Sequence, residues 1–229
     1  MSRDKLIHIL HGDDMVLWGF YNTMKKLFNN YPNIGAAYCR FHFIDSISNI
    51  NYTAPLEIIN SGIFEDFFKK ISQQSILQTP FIVVHREVYE KNGTFDQRFK
   101  YTEAWEMWQR IGSIYQVAYS PKVLALYRNN RSNNNTHKTI VSGKSIEDLL
   151  SVYKLIKENV KNRIADVDAA LRKNLFFLLK HQIPQLYREG HKKVAVNYAK
   201  QIIKLRFAAE IRWEVLKLIL KMELKYWFR

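Results

Sequence analysis

The 229-residue chain has few of the residues that cross-link a protein or anchor it across a membrane. Its only cysteine is Cys39, so no internal disulfide can form, and a reducing, cytoplasmic compartment follows. No uninterrupted apolar run approaches the roughly 20 residues needed to cross a bilayer. The opening MSRDKLIHIL runs into charge too early for a signal peptide. No sequence repeat and no nucleic-acid-binding motif stands out, and basicity alone is blind to nucleic-acid sequence. Acidic residues are scarce: 21, against 35 Lys and Arg, for a formal net charge of +14. What the chain has is hydrophobic residues at 47% and aromatics at 14%, enough to fold around a sizeable core.

The charge is uneven. Ser151 to Arg229 holds 18 Lys and Arg against 7 Asp and Glu, a balance of +11, which leaves +3 for the first 150 residues. A basic tail on a near-neutral body points to an anionic partner or to a solvated helical surface.

The first 130 residues alternate between strand and helix patterns. KLIHIL (5–10) reads as a buried strand, Val16 to Asn30 as a helix, and Ile34 to Asp45 as a strand. A helix is predicted around Ile63 to Ile71, a strand at FIVV after Thr79-Pro80, and a short helix from Arg86 to Lys91 that stops at Asn92-Gly93. Glu103 to Ile114 is helical, and the strand-like VAYS and VLALYR flank Pro121. This alternation implies an α/β layer structure. The polar stretch Asn129 to Lys138 reads as a loop. Helices follow over Ile146–Val160, Val167–Tyr187 (interrupted near Pro184), His191–Leu205 and Ala208–Phe228, a pattern of antiparallel hairpins. The implied division is 1–135, α/β, and 136–229, basic and helical.

Two segments carry candidate chemistry. Asp13 and Asp14 follow the first strand at its carboxyl end, where α/β folds place their ligands. Paired carboxylates suit Mg²⁺ or Mn²⁺ bridging to a diphosphate; the other reading is an N-cap by Asp14 on the following helix. In YTEAWEMWQRI (101–111), Glu103 and Glu106 share one helical turn beside Trp105 and Trp108. A carboxylate so placed can act as a general base, with rings beside it stacking on a sugar. The other reading is an amphipathic helix with Glu at its favourable N-terminal end and tryptophans in the core.

Taken in order, ILHGDDMVLWGFY, PFIVVHREVYEKNGTFDQRF, YTEAWEMWQRI and LALYR resemble the family 2 glycosyltransferases of the GT-A, Rossmann-like fold. The resemblance covers roughly residues 5 to 130. It implies a metal-dependent enzyme that moves a sugar, with inversion, from a nucleotide-diphospho-sugar to a glycan or lipid-linked acceptor. Carried over by motif, Asp13 and Asp14 match the metal site for Mn²⁺ or Mg²⁺, with Asp14 as direct ligand. Gly93, Phe95 and Asp96 match the loop ahead of the acceptor site, beside Trp105 and Glu106. Glu103 matches the first acidic residue of the family's E-D motif.

The sequence departs from the family in three places. Where the family has its basic Asp, this chain has Ala104, which leaves Glu103 to take the proton or the chain without turnover. The family's histidine after Tyr-Arg is replaced by Asn129-Asn130, with His137 the next available. The family's donor-binding half, which precedes the metal strand, has no counterpart, so the resemblance implies an incomplete catalytic domain: a truncated gene product, a degenerate paralogue, or one piece completed by a partner chain supplying the N-terminal half. The alternative is a non-catalytic relative or a basic binding module at a membrane. In the tail, Lys217, Lys221, Lys225 and Arg229 alternate with Leu216, Leu220 and Trp227, the pattern of a cationic amphipathic helix on an anionic membrane at the inner face.

Overall fold

Strand and helix patterns resolve, in a computed structural model, into an α/β region and a helical region. The structure describes residues 4–99, 102–128, 140–142, 144–159, 164–204, 213–218 and 220. The chain divides into two compact units, Met1–Asn134 and Asn135–Arg229. The predicted loop Asn129–Lys138, with His137, and most of the predicted last helix lie outside the described residues.

The first unit is built on one seven-stranded sheet. Its strands are β1 (Leu6–His8), β2 (Met15–Val16), β3 (Ala36–Ile44), β4 (Ile50–Thr53), β5 (Gly62–Ile63), β6 (Ile82–His85) and β7 (Val117–Arg128). The order is β1-β6-β3-β7-β2, with β4 added to β3 and β5 to β7. Only β3 and β7 run parallel, so their carboxyl ends finish side by side, Ile44 opposite Arg128. Cys39 lies wholly inside this sheet, where burial pushes its thiol up to about 12 and leaves it inert.

Two expectations are corrected here. The predicted helix from Val16 starts later. Met15 and Val16 pair with β7 instead, the Leu17 amide donates to the Leu124 carbonyl at 2.8 Å, and Gly19 turns the chain at φ +88°. Helix α1 therefore covers Phe20–Asn30 and buries Phe20, Met24, Leu27 and Phe28. The strands expected on either side of Pro121 are one strand. Cys39 opposes Ser120 and Arg40 opposes Val123, so Pro121 and Lys122 bulge out of the ladder, where a missing N–H costs nothing.

Helices α2 (Phe67–Gln73), α3 (Arg86–Asn92) and α4 (Glu103–Ile114) complete this unit. Gly112 lets α4 press against α2, because a Cβ there would fall 2.7 Å from the Phe67 ring. The indole N–H of Trp105 donates to the Ile71 carbonyl across the same seam, at 2.5 Å.

The second unit contains α5 (Ser145–Asn159), α6 (Ile164–Phe177), α7 (Ile183–Arg188) and α8 (Lys192–Lys204). Pro184 does not break the chain between α6 and α7. A π turn at Leu178–Gln182 widens the helix just ahead of the residue that cannot donate a backbone N–H. Asn174 of α6 donates to the Tyr153 hydroxyl of α5 at 2.7 Å, and Tyr198 of α8 donates to the Ile140 carbonyl at 2.9 Å.

Candidate active site

Strand β1 delivers the chain to His11-Gly12-Asp13-Asp14, closed as a turn by the Asp14 amide donating to the His11 carbonyl at 3.2 Å. The pairing of β2 with β7 then fixes this turn beside the last residues of β7. Asp13 points to solvent, whereas Asp14 is only 6% exposed. The Arg128 amide donates to Asp14 Oδ1 at 2.9 Å. Among the described residues Asp14 Oδ2 has no hydrogen bond, and His11 Nδ1 stands 3.3 Å away, near enough to lower the carboxyl. Burial raises the Asp14 carboxyl above its ordinary range, the Arg128 amide lowers it, and the neighbouring Asp13 charge raises it again.

Tyr127 precedes Arg128, whose amide holds Asp14. Its ring is wedged edge-on between Phe43 (5.4 Å) and Phe81 (6.0 Å), and Phe81 stacks on Phe41 at 3.7 Å. Burial raises its hydroxyl first, and the charges of Asp14, Asp13 and Glu103 raise it further. The Asp13–Asp14 turn and the first residue of α4, 89 positions apart in sequence, thus act electrostatically on one phenol, which stays protonated at neutral pH.

Arg128 ties the surrounding loops. Its guanidinium donates to the Asp13 carbonyl (3.2 Å), the Asp45 carbonyl (2.6 Å) and Ser48 Oγ (3.1 Å). The Asp45 side chain in turn accepts from the Ile47 and Asn49 amides at 2.9 and 2.8 Å, a turn in which Ser48 adopts φ +69°. One arginine therefore links the carboxyl ends of β3 and β7 to the acidic turn.

The remaining predicted residues form a separate, supporting cluster. Glu106 is fully buried and bound in bidentate fashion by Arg110, Nε to Oε1 at 2.8 Å and Nη2 to Oε2 at 3.0 Å. Arg110 also donates to the carbonyls of Asn92, Gly93 (3.3 Å) and Thr94 (2.9 Å), and so pins the loop after α3. Gly93 makes that loop possible at φ +79°, ψ 170°, a conformation reserved for glycine. Phe95 packs edge-on against Trp108 at 5.7 Å, and Trp105 is buried. Asp96 is held by Arg98, whose guanidinium keeps its carboxyl below the usual range. Trp105, Glu106 and Phe95 are thus packed as supports, whereas the charges of Asp14, Asp13 and Glu103 act on the Tyr127 hydroxyl.

Sequence reasoning assigned no role to Tyr127, Arg128 or Arg110. The Glu106–Arg110 pair was open to recognition from its i, i+4 spacing. The Arg128 clasp was not, because Asp13, Asp45 and Ser48 are distant in sequence.

Among the described residues no three His, Cys, Asp or Glu side chains converge into an all-protein metal cage. Two adjacent carboxylates, one exposed and one with a buried oxygen that accepts no hydrogen bond, fit a divalent cation shared with phosphate oxygens. Asp13 and Asp14 can hold such an ion.

The mixed sheet with its helical C-terminal region is a fold shared with a solved structure. The particular likeness is to the crystal structure of S. aureus TarS 1–349 in complex with UDP-GlcNAc. It spans 98% of this chain and 68% of that one, at a TM-score of 0.65 and 11% identity. No protein-family model and no curated protein matches the sequence.

Proposed function

We propose that the chain transfers a sugar from a nucleotide-diphospho-sugar to a hydroxyl of a glycan or lipid-linked acceptor, with inversion. The observation that carries this reading is the buried Asp14 carboxylate held by the Arg128 amide at the end of β7, in a fold shared with a protein solved with UDP-GlcNAc. Asp13 and Asp14 would hold Mn²⁺ or Mg²⁺, which when bound neutralises the charge of a diphosphate. Glu103 accepts the proton of the acceptor hydroxyl as that oxygen bonds to the anomeric carbon and the bond to the diphosphate oxygen breaks. Gly93, Phe95 and Asp96, held by Arg110 and Arg98, shape the acceptor side.

In this reading a partner, either a further part of the same protein or another chain, completes the donor side. Among the described residues β1 pairs only with β6, which leaves its other edge open to a strand from elsewhere. Ile9, Leu10 and the 98%-exposed Trp18 present apolar surface in the segments that follow β1 and precede α1.

A second reading, a non-catalytic relative that keeps the fold, is favoured by Ala104 at the second position of α4, where the family resemblance places an aspartate. Release of UDP from UDP-GlcNAc with Mn²⁺ separates the two. Turnover lost in Glu103→Gln and raised in Ala104→Asp supports the enzyme. Donor binding without turnover in any variant supports the non-catalytic relative, and no donor binding contradicts both.

A further inference from the structure

The tail of the second unit carries an apolar stripe that its own unit does not cover. Residues 213–218 are helical, and Val215 is completely buried. Trp213, Leu216 and Leu220 are 60%, 44% and 56% exposed. Spacings of three and seven put these three on one face, and Val215 lies roughly 100–160° around the helix from them. Lys217 borders the stripe, its ammonium 5.5 Å from the centre of the Trp213 ring and 3.1 Å from Glu214. The sequence repeats the apolar spacing at Leu224 and Trp227 and the basic border at Lys221 and Lys225.

We propose that this stripe is an interfacial anchor for an anionic phospholipid surface. Tryptophan and leucine enter the head-group boundary, and the lysines beside them meet lipid phosphates. The charge of the segment selects the occupant. Ser151 to Arg229 carries +11 (18 basic minus 7 acidic residues), attractive to an anionic bilayer. Two copies of the same lysine-bordered stripe would instead set like charges against each other. No helix among the described residues is long and apolar enough to cross a membrane, so the anchor is peripheral.

Co-sedimentation of the full chain with phosphatidylcholine vesicles, and with vesicles containing roughly one-third phosphatidylglycerol, tests the proposal. Binding is expected to the anionic vesicles, to weaken as salt rises, and to drop about tenfold or more in Leu216→Gln/Leu220→Gln. In Lys217→Gln/Lys221→Gln/Lys225→Gln, which leaves the apolar stripe in place, the preference for anionic lipid should fall toward that for neutral lipid. Wild-type affinity in a folded Leu216→Gln/Leu220→Gln variant overturns the proposal. So does equal binding to both vesicles, or a wild-type dimer that this variant dissociates, which would assign the stripe to a second copy. The vesicles contain no sugar donor, so the outcome is independent of the transferase reading.

Discussion

The Asp13–Asp14 turn and the first turn of α4 look alike in sequence, each with two carboxylates within one turn of chain. In the structure their buried members are treated in opposite ways. Glu106 is fully buried, but both its oxygens receive the guanidinium of Arg110, so its charge is compensated within the fold. Asp14 is nearly as buried and, among the described residues, receives one backbone amide, a histidine 3.3 Å away and a like-charged neighbour. A buried charge of the first kind holds structure together; one of the second kind is left for a cation to complete.

Substitutions sharpen this contrast. Glu106→Gln leaves Arg110 without its counter-charge and loosens the Asn92–Thr94 loop, at a cost of about 3 kcal/mol in urea unfolding. Gly93→Ala forces a side chain into that loop at φ +79° and costs about 2 kcal/mol by the same measurement. Asp14→Asn removes a charge the fold compensates poorly, so stability stays level or rises by less than about 1 kcal/mol.

The pH dependence gives the sign. Because the folded Asp14 carboxyl is raised above 3.8, the folded state takes up its proton first, and wild-type stability gains as pH falls through that window. Asp14→Asn lacks this gain. His8 acts in the opposite sense: burial lowers it below 6.5, so its contribution is lost as acid protonates the unfolded chain first. Comparing Asp14→Asn and His8→Gln with wild type in pH-dependent unfolding separates the two. The smallest effect belongs to the exposed Asp96–Arg98 pair, where Arg98→Ala should change stability by less than about 0.5 kcal/mol.

The helix Glu103–Ile114 was legible in the sequence because its apolar spacing and the acidic residues of its first turn agree. So was the break at Gly93. The start of α1 was not, because the choice between helix and strand for Met15 and Val16 is made by β7, more than a hundred residues later. The continuity of β7 through Pro121 was hidden for the same reason: a bulge needs its partner strand to be seen. At the site, the residue types were readable and their division of labour was not. Nothing in the spacing of Glu103 and Glu106 says which one meets Arg110.

The central claim is that Asp14 is completed by a cation and a diphosphate, and a thermal-shift titration with UDP, with and without Mn²⁺, tests it most directly. A Mn²⁺-dependent rise in melting temperature is predicted for the wild type, corresponding to about 2.7 kcal/mol at a hundredfold excess over Kd. That rise should be lost in Asp14→Asn and kept in Arg98→Ala. An equal rise in Asp14→Asn, or none in a cooperatively melting wild type, would contradict it.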